Sequence, residues 1–170
     1  MEPKRSLTRL AGVGAAMAFG STLLVGAATS AQAEQTQAQA QAPQAVLYQV
    51  INGNSRNACL QVVDIAHNKG NVTLGTCNGS ARQKWEVIDG YFVNKAVSPH
   101  HCLDGNGADV YTFECDFDNG FQKWTTTSGS PKSIRHSQSR KYLHANGNIG
   151  ENAVFKPSIG TASRWVIERV

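Results

Sequence analysis

The residues of this 170-residue chain with chemistry in them are four cysteines, five histidines and an acidic run, Asp104, Asp109, Glu114, Asp116 and Asp118. Zinc binding would need paired C-x-x-C cysteines or histidines at ligand spacing, and neither is present. The stretch from Asp104 through Gly105, Asn106, Gly107 and Ala108 to Asp109 has the outline of a calcium loop. Its fifth position is Ala108, however, and its twelfth is Cys115 where that loop requires Glu. No metal and no cofactor are therefore expected. Hydrolysis of a glycosidic bond needs two carboxylates about 5 to 9.5 Å apart across a cleft. The acids here crowd a short stretch rich in turn residues and read as solvated turn acids. No histidine pairs with a recognisable serine or cysteine nucleophile. The chain is not expected to be an enzyme, which leaves cross-linking and non-covalent recognition.

The compartment follows from the N-terminus and the thiols. Lys4, Arg5 and Arg9 form a positive start, an Ala/Gly/Leu-rich stretch runs from about Leu10 to Thr29, and Ala31-Gln32-Ala33 supplies a small-x-small cleavage pattern. Residues 1–33 read as a secretion signal peptide cut after Ala33. Its apolar run is short and glycine-rich for a membrane span. No other hydrophobic stretch follows, so a secreted, extracellular protein with no membrane partner after cleavage is expected. Residues 34–45 are a Gln/Ala-rich tract read as a disordered linker. Four cysteines in an exported chain are disulfide candidates. The leader holds three of the 16 basic residues and one of the 12 acids, so the net charge of +4 falls to about +2 without it. Only Lys132, Arg135, Arg140 and Lys141 cluster, with no interleaved stacking aromatics, so no nucleic-acid partner is expected.

The elements that must position these residues are announced by a repeat. Trp85, Trp124 and Trp165 recur 39 and 41 residues apart. The first closes Cys59-Leu60-Gln61, Cys77 and Gln83-Lys84-Trp85. The second closes Cys102-Leu103-Asp104, Cys115 and Gln122-Lys123-Trp124. The third, eroded, closes Tyr142-Leu143-His144 and Ser163-Arg164-Trp165. A fixed period near forty means one supersecondary unit written three times, at about 46–88, 89–127 and 128–170. The repeat selects one of the three cysteine pairings, Cys59 with Cys77 and Cys102 with Cys115, each closed within its own unit. Period-two runs such as Asn71–Leu74 and Trp165–Val170 alternate with Asn-Gly and Asp-Gly turns. No helical apolar period lasts three turns, so residues 46–170 should be nearly all β. A propeller has a similar repeat length but needs at least four blades. Three four-stranded units suit a β-trefoil, with Trp85, Trp124, Trp165, Leu60, Leu103 and Leu143 gathered in its core.

The pattern Cys-Leu-Asp, aromatic-x-Cys and Gln-x-Trp resembles the ricin B-type lectin family from about Val46 to the end. The resemblance implies a β-trefoil of about 40-residue pseudo-repeats and a shallow sugar site in each unit. In that family an Asp after Cys-Leu accepts two hexose hydroxyls, and an aromatic two before the second cysteine faces the sugar ring. A polar residue near Gln-x-Trp completes the clamp. Carried onto this chain, the second unit keeps Asp104, Phe113 and Gln122, the last as a buttress for the carboxylate. Phe121 stands where a polar residue is usual, with Asn119 as its substitute. The cysteine register turns Val110 and Thr112 inward, leaving Phe113 outward. The first unit has Gln61, Gly75 and Arg82 at these places, and the third has His144 and no platform across Ala153–Lys156. The expectation is a secreted lectin that binds a galactose-like hexose, as glycan or polysaccharide, mainly through its second unit. The alternative is a decayed trefoil that binds a protein partner or acts as an inhibitor, through an apolar patch of Phe117 and Phe121.

Overall fold

The computed structural model describes residues 44–170. The expected leader 1–33 and all of the expected linker before Gln44 lie outside the described residues. The first unit contains β1 (Leu47–Asn52), β2 (Ala58–Ala66), β3 (Lys69–Thr76) and β4 (Trp85–Ile88). The second contains β5 (Tyr91–Asn94), β6 (His101–Gly105), β7 (Val110–Glu114) and β8 (Trp124–Thr126). The third contains β9 (Lys132–His136), β10 (Tyr142–His144), β11 (Val154–Lys156) and β12 (Arg164–Arg169). A 3₁₀ turn precedes the last strand of each unit, at Ala81–Gln83, Gly120–Gln122 and Thr161–Ser163.

Turn chemistry sets the register. Ile88 pairs with Tyr91 across a two-residue loop, Asp89-Gly90, in which both residues have positive φ (48° and 87°). That is the mirror-image turn whose twist matches paired strands, and Asp-Gly is a favoured dipeptide for it. Gly90 is required twice over, because a Cβ there would lie 2.5 Å from the carbonyl of Trp124. The tight approach lets the Trp124 N–H donate to Gly90 O at 2.9 Å.

All neighbouring strands are antiparallel. β1 pairs with β12 and β4, β4 with β5, β8 with β9, and β9 with β12. These first and last strands of the units form a barrel-like wall. The inner pairs β2–β3, β6–β7 and β10–β11 are hairpins that cap it. The hairpins meet one another through the β3–β7 pairing and the bridges Thr73–Asn152 and Asp109–Val154. Three equivalent hairpins over one barrel make a β-trefoil.

The core repeats with the units. Trp85, Trp124 and Trp165 are buried in one cluster with Leu60, Leu103 and Leu143. Burying an indole strands a polar N–H unless it finds an acceptor. Here each indole donates to the carbonyl of its own unit's leucine, Trp85 to Leu60 at 3.0 Å, Trp124 to Leu103 at 2.9 Å and Trp165 to Leu143 at 3.0 Å. The motif tryptophan therefore clamps the backbone one residue before each candidate site position. Both disulfides form within their units, Cys59–Cys77 and Cys102–Cys115.

A second device recurs at two of the three unit boundaries. Asn94, the last residue of β5, donates to Arg82 O at 3.0 Å. His136, the last residue of β9, hydrogen-bonds through Nε2 to Phe121 O at 2.8 Å. Arg82 and Phe121 each stand just before a motif glutamine. Ser139 N donates to the His136 Nδ1, which places the ring proton on Nε2. His136 is thus a neutral, fully paired core histidine.

Candidate functional site

The β6–β7 hairpin builds the candidate site. Asp104 and Tyr111 are direct cross-strand partners, as are Cys102 and Phe113, so all four point to one face. The opposite face, Leu103, Val110 and Thr112, is buried. Phe113 is left 41 % exposed. Asp104, Asn106, Tyr111, Phe113, Asn119 and Phe121 line a shallow depression of about 310 Å³.

At its floor lies the Asp104 carboxylate. Oδ2 accepts from Gln122 Nε2 at 2.9 Å. Oδ1 is buried and has no hydrogen-bond partner among the described residues. A buried acceptor left unpaired costs roughly 1–3 kcal/mol, and more for a charged group. Tyr111 stands beside it. Burial first, then the nearby Asp104 charge and a hydrogen-bonding contact of the phenol with the Asp104 carboxylate, push it up to about 12. That contact is looser than the Gln122 bond and leaves Oδ1 without a partner at normal hydrogen-bond distance. The outer face of the Tyr111 ring carries Lys69, whose Nζ is 4.1 Å from the ring centroid.

Gln122 holds the carboxylate from below. It is fully buried, and every polar atom of its amide is used. Nε2 donates to Asp104 and to Glu114 O (3.0 Å), while Oε1 accepts from Asp116 N (2.9 Å). It holds the carboxylate and the backbone on both sides of Cys115, and it does not face the depression as a ligand contact. Gln83 does the same around Cys77, donating to Thr76 O and accepting from Asn78 N. Asn119 caps the 3₁₀ turn, its Oδ1 accepting from Phe121 N at 3.0 Å. Asn119 also lines the depression, and among the described residues its amide nitrogen makes no hydrogen bond. The neighbouring loop satisfies itself, with Asn106 Oδ1 accepting from Ala108 N and Asp109 N, and Lys141 donating to Gly107 O. Among the described residues, no group of three His, Cys, Asp or Glu side chains is placed to hold a metal ion.

The other units fill the same position with themselves. In the first, a Cβ on Gly75 would lie 2.1 Å from Gln61 Oε1, so the Gln61 side chain occupies the space a platform would need. It is tied there by Gln83 Nε2 (3.3 Å) and by Thr73 Oγ1 (3.3 Å). In the third, both His144 ring nitrogens have partners, Ser163 Oγ at 3.0 Å and Asn146 Oδ1 at 3.3 Å. Its aromatic, Phe155, pairs with Leu143 and stacks on Trp124 at 5.7 Å, turned into the core. Gln61–Gln83, Asp104–Gln122 and His144–Ser163 are thus one contact in three chemistries. Only in the second unit does it leave a carboxylate oxygen unmet.

Three further side chains, Tyr111, Phe117 and Phe121, belong to the picture. Tyr111 was missed, although the alternation that turns Phe113 outward turns it outward too. Phe117 and Phe121, both exposed, pack against different rings. Phe117 packs edge-on against Tyr91, with centroids 5.1 Å apart, whereas Phe121 lies against His136 at 6.2 Å and lines the Asp104 depression.

A family model described as the ricin-type β-trefoil lectin domain matches residues 47–163. The chain belongs to that family. Membership makes this ricin-type domain a member of a group whose general property is carbohydrate binding. Among solved structures it is similar to the designed threefold-symmetric protein ThreeFoil, at 20 % identity and TM-score 0.60, over 71 % of this chain and 96 % of that one. It is also similar to the C-terminal half of an earthworm R-type lectin solved in complex with GalNAc, at 12 % identity and TM-score 0.62, over 74 % and 99 %. A mosquitocidal holotoxin matches at 19 % identity and TM-score 0.65 over 76 % of this chain. The chain spans only 18 % of that toxin's length, and identities this low establish the fold alone. No curated protein sequence gave a significant match.

Proposed function

We propose that this is a secreted lectin that binds a galactose-like hexose through its second unit and has no catalytic activity. The observation that carries the reading is the buried, unpartnered Oδ1 of Asp104 beside the exposed Phe113 ring. A hexose presents hydroxyls on its edge and C–H groups on its face. Hydroxyls donating to the carboxylate make charge-assisted hydrogen bonds and remove the cost of the unmet oxygen. The apolar face of the sugar stacks on Phe113, and the spare Asn119 amide donates to a ring hydroxyl. Gln122 acts by holding the carboxylate. The GalNAc bound to the earthworm lectin half supports the choice of a galactose-like sugar.

One open site of this size supports weak affinity, on the order of millimolar, or about −4 kcal/mol. Useful avidity then comes from multivalent glycans. The test is calorimetric titration of galactose into the protein and into Asp104→Ala. The variant keeps its fold, because Gln122 still donates to Glu114 O and still accepts from Asp116 N. Binding is expected to disappear. Unchanged binding in Asp104→Ala refutes the assignment.

A further inference from the structure

The depression at Asp104 does not end at Phe113. On the other side of Phe113 and Asn119, which line both, a second depression of about 310 Å³ runs over Glu114 and Asp116. A third, also about 310 Å³, shares Glu114 and Cys115 with the second and reaches Phe117. Shared walls make the three one continuous path across the second unit.

The far end of that path is a prepared surface. Phe117 is 55 % exposed, yet its ring packs edge-on against buried Tyr91 with an interplanar angle of 70°. The Tyr91 phenol donates to the carbonyl of Phe117 itself. A ring held at its edge and at its backbone presents one face to solvent at a fixed place. Leaving a large apolar side chain exposed in this way forgoes the stabilisation that burial would give. Between Phe113 and Phe117 stand hydrogen-bonding groups, the Asn119 amide and the Glu114 and Asp116 carboxylates. Ring, polar group and ring in succession match a chain whose every unit has an apolar face and a hydroxylated edge. A shallow path whose walls alternate between rings and charged or amide groups does not match a peptide helix, which needs a continuous apolar groove.

We propose that the second unit holds an oligosaccharide rather than a single hexose, with Phe117 stacking a sugar unit at the end of the path remote from Asp104. The inference rests on the sugar-binding reading above. Its test is calorimetry with galactose and with β-1,3- and β-1,4-linked galactotetraose, on the protein, Phe117→Ala and Phe117→Tyr. At least one tetraose should bind the protein about tenfold more tightly than galactose, the gain that one further stacked ring supplies. Phe117→Ala should abolish that gain and leave galactose affinity unchanged, and Phe117→Tyr, which keeps the ring, should retain the gain. If galactose binds but neither tetraose binds more tightly, or if Phe117→Ala keeps the gain, the extended path is overturned and the single site stands. If neither sugar binds, both readings fall.

Discussion

Asp104 differs from Gln61 and His144 in one respect that matters for function. Those two side chains find all their partners inside the protein, whereas the Asp104 carboxylate keeps one oxygen unpaired beneath an exposed ring. His136 shows the opposite outcome, a titratable group fully absorbed by the scaffold. Burial is the main cause that holds its imidazole below the ordinary histidine value of 6.5, against the opposing effects of its bond to Phe121 O and the Asp104 charge. His101 is also held below that value, again chiefly by burial. A folded-state value below the unfolded one means that the unfolded chain takes up protons first as the pH falls. The stability these histidines contribute is complete above about pH 6.5 and is lost as the pH falls through their depressed values. His136→Asn, which installs the amide that Asn94 uses at the equivalent place, should flatten the loss of stability between pH 7.5 and pH 5. Urea midpoints at the two pH values measure it, and an unaltered difference between them would contradict the assignment. The role of His136 was not legible beforehand, because a histidine in an alternating strand looks the same whether it faces solvent or core.

The β6–β7 hairpin is the element that makes the site, and much of it could be read in advance. The cysteine register placed Val110 and Thr112 inward, and the family resemblance singled out Phe113 two residues before Cys115. Tyr111 was not found, since no motif names it. It matters only because its cross-strand partner is Asp104, a fact of register rather than of composition. The Gln61 side chain lying over Gly75 was equally invisible, for it depends on where a flexible amide points. The disulfide ties the hairpin ends together and holds the Phe113 platform two residues away. Its loop spans a sequence separation of 13, for which the chain-entropy model gives about 3 kcal/mol. Cys102→Ala/Cys115→Ala should therefore lose about 3 kcal/mol in chemical denaturation. A loss below about 1 kcal/mol would show that the hairpin is held by its packing alone.

Residues 44–170 are a scaffold repeated three times, and on the proposed reading one unit carries the sugar site. The forty-residue period made the fold legible, because three tryptophans can share a core only if their units are arranged about a common centre. The period said nothing of which sites survive, as that is decided by single side chains over an unchanged backbone. Scaffold and site should thus separate on mutation. Trp165→Ala removes an indole from the third unit, away from the proposed site, and should still cost about 3–5 kcal/mol. That is a large share of the stability of an ordinary domain. Below its lowered melting temperature the variant should still bind galactose as the parent does, and a lost affinity with the fold intact would tie the site to the core. The most direct test of the central claim is a galactose titration followed by amide NMR of isotope-labelled protein. The account predicts shifts that saturate together at residues of the second unit around Asp104, Phe113 and Asn119, with the corresponding positions near Gln61 and His144 unmoved. Equal shifts in all three units, or shifts confined to the first or third, would contradict it.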